Sequence, residues 1–396
     1  MQIQLEKILD VEVVERQLAE LWQETARDPN ADAETVVLRA RVANLLVFVS
    51  NDAALDDLHQ MLGELTAIHP SRVLAMLGAR EATDQDIEMS VESICQTDKR
   101  TGAKRLSCEE ITLKACGKFV VELPSAALPL LMPDLATFLW WRNAPHISDK
   151  VLDTLLRATD RLVIDSLEFA NPQADLSETN KLYSAKDYDH VGVSDLNWAR
   201  LTFWRELLAD FYDVAAYRTW LDGVDSVQID YVAPERDDVS VAPQALLFSG
   251  WLASRLGWNL TEERPIRESA QALSFKFRSE SRDSSPTTPE SPSGQSEIQL
   301  RLKSVERGER KPGRLVQVEL RSSLEKAGSF KVARSDDNLY VLAEAKLGRQ
   351  THRGRVLPVR NRSAAQLLSR EMEILCNDQI YQEAIAVAAK MIDALR

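Results

Sequence analysis

The sequence predicts an α/β N-terminal domain with a mixed sheet, followed by an α+β C-terminal domain with an antiparallel sheet. In the first half, the apolar run Leu45–Val49, a helical pattern and the run Val73–Leu77 form a strand–helix–strand unit, which implies two parallel strands. In the second half, apolar and polar residues alternate on both sides of residues 281–296, as expected of antiparallel strands with one wet face. We expect domains over residues 1–170 and 171–396.

The elements of the first half follow from local patterns. Val14, Leu18 and Leu21 recur at helical spacing, which predicts an amphipathic helix near residues 11–26. Ser50-Asn51-Asp52 offers N-cap oxygens to the helix that follows the first buried strand. Later segments add alternating strands at 87–91 and 111–113, a helix over 151–156 and a strand over 162–164.

The second half is organised around one sheet. The helical patterns run from Leu196 to Phe211, from Leu246 to Leu256, and over two closing segments near 367–375 and 380–391, while residues 227–231 read as a strand. Residues 281–296 contain no apolar side chain and are predicted to be disordered. The flanking segments 273–277 and 298–302 are predicted to pair as a hairpin. Their sheet would present a basic polar face: Lys276, Arg278, Arg301, Lys303, Arg321 and Lys331.

The composition limits the classes of protein to which this chain can belong. Apolar residues make up 44% and charged residues 28%, as in soluble globular proteins. No apolar run is long enough to span a membrane, and the charged N-terminus does not look like a secretory signal. The four cysteines match no zinc or redox spacing, so we expect reduced thiols in the cytoplasm.

Charge is unevenly distributed along the chain. The net charge is −13, yet residues 276–370 hold 20 Lys and Arg against 11 Asp and Glu, a net of +9. Residues 1–275 hold 26 against 45, a net of −19. Phosphate repulsion by this acidic body argues against a nucleic-acid binder. The basic region could meet an acidic partner, or it could simply be a solvated face.

Motifs of catalysis are missing from the sequence. It has no GxGxxG, Walker, HExxH or GxSxG pattern, and its five histidines lack metal-ligand spacing. We therefore predict no catalytic, cofactor-binding or metal-binding residues. Two polar segments each allow two interpretations. His69-Pro70-Ser71-Arg72 could hold a phosphate or a partner carboxylate, or form a turn whose Arg72 is ion-paired. Asp165-Ser166 could hold a ligand at a strand end or cap a turn.

Four segments together resemble a known family: VVLRARVANLLVFVSND, HPSRVL, CEEITLKACG and LPLLMPDLATFLWW. The combination is similar to the OpcA-type glucose-6-phosphate dehydrogenase assembly proteins of cyanobacteria and related bacteria. Two later segments, VDSVQIDYV and ILCNDQIYQEAI, are similar to the second half of that family, so the resemblance covers essentially the whole chain. It implies a non-catalytic protein that binds the oligomeric dehydrogenase of the oxidative pentose phosphate pathway and promotes its active form. It also suggests thioredoxin as a partner, with Cys376 as the redox candidate because no other cysteine follows Cys116.

Our hypothesis is that aromatic side chains make the main contacts with the partner, while the basic sheet face attracts the partner electrostatically. Trp140-Trp141 belongs either to the core or to an interface, since aromatic pairs suit both. The candidates are Trp140, Trp141, Arg142, His69, Arg72, Arg301 and Lys303. The alternatives are a lactonase-like sugar-phosphate enzyme that uses His69, Arg72 and Asp165 in one cleft, and a small-ligand sensor.

Overall fold

The computed structural model of the chain describes most of its residues. These are residues 2–3, 11–26, 42–97, 104–234, 241–279, 296–306, 308, 310–323, 327–359, 362–374 and 376–396. The predicted disordered segment 281–296 lies outside them, except for Ser296, which opens a strand.

Seventeen strands and eleven α-helices are described. The strands are β1 (Gln2–Ile3), β2 (Ala43–Val49), β3 (Ser71–Ala79), β4 (Gln85–Thr97), β5 (Lys104–Cys116), β6 (Thr137–Trp141), β7 (Arg161–Ile164), β8 (Gly192–Asp195), β9 (Val224–Val232), β10 (Trp258–Leu260), β11 (Ile266–Ser269), β12 (Ala272–Ser279), β13 (Ser296–Val305), β14 (Leu315–Ser322), β15 (Gly328–Arg334), β16 (Tyr340–Leu347) and β17 (Gln350–Pro358). The helices are α1 (Val11–Ala26), α2 (Asp52–Ile68), α3 (Leu123–Ala127), α4 (Lys150–Leu156), α5 (Pro172–Tyr183), α6 (Leu196–Ala199), α7 (Thr202–Tyr212), α8 (Arg218–Asp222), α9 (Pro243–Leu256), α10 (Ala364–Glu371) and α11 (Gln379–Asp393).

The chain forms two compact units, each built from more than one segment. The first unit comprises Met1–Glu168, Lys181–Leu196 and Arg362–Asn377. The second comprises Phe169–Asn180, Asn197–Asn361 and Asp378–Arg396. A division of the sequence into continuous domains at residue 170 stays a prediction.

A mixed sheet is the centre of the first unit, which confirms the predicted α/β class. Its strand order is β1-β4-β5-β3-β2-β6-β7-β8. The six strands from β5 to β8 in this order are mutually parallel, whereas β4 is antiparallel to β5 and β1 to β4. This parallel order, in which the first strand lies between the second and the fourth, is that of the doubly wound dinucleotide-binding fold.

Local sequence accounts for the start of this sheet. Every residue of β2 is buried, as expected of a strand with helices on both faces. The strand ends at Val49. Asn51 caps α2, because its side-chain oxygen accepts a hydrogen bond from the Ala54 N–H at 2.9 Å. The chain then returns as β3, parallel to β2 with Leu45 opposite Val73. The predicted strand–helix–strand unit is confirmed.

The sheet of the second unit has the order β10-β12-β13-β9-β14-β15-β16-β17, and β11 also pairs with β12. The predicted hairpin is confirmed, with Phe275 opposite Leu300 in an antiparallel pair. The predicted antiparallel sheet is confirmed for most strand pairs, but β9 and β13 are parallel. The long segment between these two strands, which includes α9, allows the crossover that a parallel pair requires.

Helices cover one face of this sheet. Phe330 on β15 lies 5.3 Å from the ring of Phe211 on α7 and 5.4 Å from Tyr217. Leu196 belongs to the separate short helix α6, because Leu201 caps the start of α7. Helix α11 packs against α9 at Gly250, where an added Cβ would lie 2.0 Å from the Ala384 carbonyl oxygen. The other sheet face carries the polar residues that the sequence predicts.

Candidate functional site

Arg72 is the second residue of β3 and lies at the amino edge of the parallel strands. Its side chain is 1% exposed and pairs with Glu109, which is also 1% exposed, at 2.9 Å. The guanidinium also binds the half-exposed Glu15 at 2.5 Å and the Leu130 carbonyl at 3.0 Å. All of these partners belong to the chain itself. Arg72 is therefore a structural ion-pair residue, with no donor turned toward solvent for a phosphate or a partner.

His69 caps the other end of the same turn. Its backbone N–H donates to the Leu65 carbonyl at the end of α2, and Nε2 lies 3.8 Å from a Glu373 carboxylate oxygen. The side chain is 16% exposed. The segment from His69 to Arg72 thus joins a helix to a strand, as the turn interpretation expects.

Trp140 and Trp141 lie side by side on β6, in the middle of the sheet. Each is 1% exposed, because helices cover both faces of this strand and opposite-facing side chains are both enclosed. Trp141 stacks on Phe48 with ring centroids 4.2 Å apart, and its N–H donates to the Ala144 carbonyl at 3.3 Å. Neither indole offers surface to a partner in this conformation.

Arg142 follows β6 at the place where the strand order reverses. It lies 5.0 Å from the Trp140 ring, donates to the Ala54 carbonyl at 3.2 Å and pairs with Asp57 at 2.8 Å. Its side chain is 10% exposed. Arg142 thereby connects β6 to the first turns of α2 inside the first unit.

The same reversal point is where a doubly wound fold would bind a dinucleotide. That site needs glycines in the first turn and an open helix N-terminus for the pyrophosphate. Here the turn is Ser50-Asn51, and the first two turns of α2 carry Asp52, Asp56 and Asp57. The guanidinium of Arg142 already contacts this part of the helix. These residues do not fit a nicotinamide dinucleotide bound in the usual way.

The cleft proposed for a sugar-phosphate enzyme is not formed. His69 and Arg72 stand at the start of β3, whereas Asp165 follows the end of β7. Because β3 and β7 run parallel in one sheet, these residues lie at opposite edges. Asp165 accepts the Leu167 N–H at 3.2 Å, which supports the interpretation of a capped turn.

Arg301 and Lys303 lie on β13, on the sheet face opposite to the helices; we call this the open face. Their neighbours Leu300 and Leu302 are buried on the helix side, so the alternation of the strand turns both cations outward. Arg301 pairs with Glu268 at 2.7 Å, and Lys303 lies opposite Asp230 in the parallel register. The predicted basic face is present, but at this end carboxylates lie beside the cations.

Exposed apolar residues occupy another part of the open face, and sequence reasoning missed them. Tyr340, Leu342 and Val356 are 44%, 39% and 53% exposed. Leu342 lies directly opposite Val356 across β16 and β17. The sequence carried a signal: Tyr340 and Leu342 are apolar at the positions of β16 that alternate with buried Val341 and Ala343.

Cys376 is exposed and has a free thiol, and Cys116 is also free. The side chains of Cys95 and Cys108 lie outside the described residues. The Cys376 carbonyl accepts a hydrogen bond from the buried guanidinium of Arg161, which fixes the backbone at this point. The redox role of Cys376 stays a prediction.

Comparison with known families matches both halves of the chain. Residues 63–181 match the glucose-6-phosphate dehydrogenase subunit N-terminal domain of the OpcA family, and residues 191–385 match its C-terminal domain. The chain belongs to the OpcA family. The resemblance seen in the sequence segments is therefore confirmed.

This chain is similar to cyanobacterial members of the OpcA family. An OxPP cycle protein OpcA of Nostoc punctiforme is 33% identical over 195 residues, which are 49% of this chain and 40% of that protein. The OpcA protein of Synechococcus elongatus is 27% identical over 326 residues, 81% of this chain and 67% of that protein. The matched part thus spans less than half of the Nostoc relative.

Solved structures resemble this OpcA-family chain only distantly. An NAD binding oxidoreductase from Klebsiella pneumoniae is 10% identical with a TM-score of 0.46, over 90% of this chain and 98% of that one. An oxidoreductase from Sinorhizobium meliloti is 14% identical with a TM-score of 0.41, over 90% of each chain. None of the described helices is long and apolar enough to cross a membrane.

Asp230 offers a test of the electrostatics of the open face. Burial raises the pKa of this carboxyl, although the Gln228 amide and the cations of Lys303 and Arg301 act in the opposite direction. A raised pKa in the folded state means that stability is lost as the pH rises through that value. We therefore expect Asp230→Asn to raise the melting temperature at pH 7.5 by about 2–4 °C, the shift that ~1 kcal/mol produces in a unit of this size.

The gain should be smaller at pH 4 than at pH 7.5, because the raised pKa of Asp230 favours its neutral form increasingly as the pH falls. Thermal unfolding followed by circular dichroism at the two pH values measures this. Glu297→Gln is the matched control, since it removes an exposed carboxylate that pairs with Lys276, and no gain is expected from it. An equal gain for both variants would contradict the assignment to Asp230.

Proposed function

We propose that this protein is a non-catalytic assembly factor that binds glucose-6-phosphate dehydrogenase and promotes its active oligomer. The observation that carries the proposal is the match of both halves of the chain to domains described as subunits of that dehydrogenase. A protein that activates an enzyme in this way binds its active state more tightly than its inactive state. It would act in the cytoplasm, within the oxidative pentose phosphate pathway.

The geometry of the first unit supports a non-catalytic role. The place where its fold would bind a dinucleotide carries acidic residues and the Arg142 guanidinium instead of a glycine-rich turn. Arg72 and Asp165, the polar residues suggested for a sugar-phosphate enzyme, lie at opposite sheet edges. Among the described residues, no three His, Cys, Asp or Glu side chains are grouped to hold a metal. The fold would then serve as a scaffold for recognition.

The test mixes the protein with the dehydrogenase of its source organism and measures activity against glucose-6-phosphate concentration. We expect the half-saturating concentration to fall or the maximal rate to rise, with co-elution of the two proteins in gel filtration. The protein alone should turn over neither glucose-6-phosphate nor its lactone. An unchanged saturation curve without co-elution would refute the proposal.

We further propose that thioredoxin is a second partner and that it acts on Cys376. Its exposed thiol is accessible to a mixed disulfide. The activation assay run with reduced and oxidised thioredoxin, and repeated with Cys376→Ser, separates this control from the binding itself. A redox response that persists in Cys376→Ser would exclude this cysteine.

A further inference from the structure

The open face differs from one end to the other in how its charges are compensated. At the β12–β13 end, Lys276 pairs with Glu263 at 2.9 Å and with Glu297 at 3.2 Å, and Arg301 pairs with Glu268. Cations that already have carboxylate partners attract a further acidic surface weakly. This end includes Arg301 and Lys303, the cations proposed from the sequence, and its net positive potential is therefore small.

The β15–β17 end is different. Its outward-facing cations are Lys331, Lys346 and Arg353, and within the described part of the chain none of them forms an ion pair. Glu344 is the carboxylate that stands opposite both Lys331 and Arg353 in the strand register. On the other side of Lys331 lies Glu319 of β14, which pairs with Arg321 at 2.8 Å, so these two charges compensate each other. The outward-facing residues Lys331, Lys346, Arg353 and Glu344 of β15, β16 and β17 therefore carry a net charge of +2.

An apolar surface lies next to these charges. We call Tyr340, Leu342 and Val356 the apolar corner. Leu342 is two residues from Glu344 on β16, so both side chains face the same way, and its cross-strand partner Val356 extends the surface onto β17. Tyr340 lies opposite Pro358 at the end of the same strand pair. Adjacent exposed apolar side chains with a charged rim are typical of a protein interaction site.

The charge indicates the kind of occupant. A second copy that paired through the same corner would bring two surfaces of charge +2 together, because a two-fold contact repeats the same patch on both sides. A partner with an acidic rim and an apolar centre avoids this repulsion and gains electrostatic steering. The sequence of residues 281–296 offers no apolar side chain that would match an apolar surface.

We infer that the apolar corner and its rim of Lys331, Lys346 and Arg353 form the docking surface for the dehydrogenase. This inference rests on the proposed function. The dehydrogenase would contribute a patch that is apolar at its centre and acidic at its rim. The corner supplies the desolvated contacts that slow dissociation, and the rim accelerates encounter.

Two double variants separate these roles. Leu342→Thr/Val356→Thr keeps residues that suit a strand but removes apolar surface, and Lys331→Gln/Lys346→Gln removes two charges. Binding to immobilised dehydrogenase is followed at 50 and 300 mM NaCl, roughly the range over which screening changes markedly. The first variant should dissociate about tenfold faster, the effect of losing ~1.4 kcal/mol of contact. The second should associate about three- to tenfold more slowly at low salt, with a weaker salt dependence.

Matched controls come from the first unit. Val121→Thr/Ile147→Thr changes two exposed apolar residues, and Lys150→Gln/Lys186→Gln removes two exposed charges. Both should bind within about twofold of the parent protein, as expected for surface positions outside an interface. The charge variant of the rim keeps the test valid if the apolar variant folds poorly.

The outcomes distinguish this inference from the proposed function. If the parent protein binds and both open-face variants bind like the controls, the docking surface is wrong and the proposed function stands. If the parent protein itself fails to bind, both proposals fall. If the apolar variant converts a dimer of the isolated protein into a monomer while dehydrogenase binding is unchanged, the corner is occupied by a second copy and the inference is overturned.

Discussion

Replacing Arg72 with methionine is expected to lower the free energy of unfolding by about 3–5 kcal/mol, the cost of removing one member of a buried ion pair. The substitution would remove the Arg72 cation from the Glu109 carboxylate, which is 1% exposed. It would also remove the donor to the Leu130 carbonyl and one end of the contact with Glu15 on α1. Urea unfolding followed by circular dichroism measures the change.

The cause can be separated from the loss of a side chain. Adding Glu109→Leu to Arg72→Met also removes the buried carboxylate, so the double variant should regain a large part of the lost stability. Arg80→Met is the control, because Arg80 follows the same strand and pairs with Asp149 while 48% exposed. A surface pair of this kind contributes about 1 kcal/mol or less. Equal losses for Arg72→Met and Arg80→Met would show that burial of the pair has no energetic consequence.

The second large effect is expected at Gly250. The Cβ of alanine at this position would lie 2.0 Å from the Ala384 oxygen and 2.9 Å from its carbonyl carbon. Both are backbone atoms, so α9 and α11 can accept the methyl group only by moving apart. Overpacking of this kind costs about 3 kcal/mol. It outweighs the ~1 kcal/mol that alanine gains over glycine in a helix.

Gly250→Ala should therefore lower the unfolding midpoint in urea, against the direction that helix propensity predicts. Ser254→Ala in the same helix is the matched control, because the position is only half-buried and alanine is the better helix former. We expect Ser254→Ala to be neutral or slightly stabilising. A stabilised Gly250→Ala would mean that the two helices are not held at this distance.

Sequence reasoning located the elements well where the determining signal is local. The burial of Leu45–Val49, the Asn51 cap and the alternation in β12 and β13 can each be read from a few neighbouring residues. The parallel pair of β9 and β13 could not be predicted in this way. Their pairing joins segments about 70 residues apart, and alternation looks the same in either strand direction.

The candidate site residues show the same contrast between local signals and contacts of distant segments. The sequence singled out Arg72 and the tryptophan pair as unusual, and the structure encloses all three. Arg72 is satisfied by Glu109 and Glu15, which lie 37 and 57 residues away in the sequence. The exposed corner around Leu342 and Val356 went unnoticed, because each residue alone is an ordinary member of a strand.

By itself, the sequence determined the family, the α/β and mainly antiparallel classes of the two units, and the basic character of one sheet face. Only the tertiary structure decided which charges are compensated, which aromatic residues are enclosed and where apolar surface is left exposed. The physical reason is that periodicity and capping act over a few residues, whereas burial depends on contacts between distant segments.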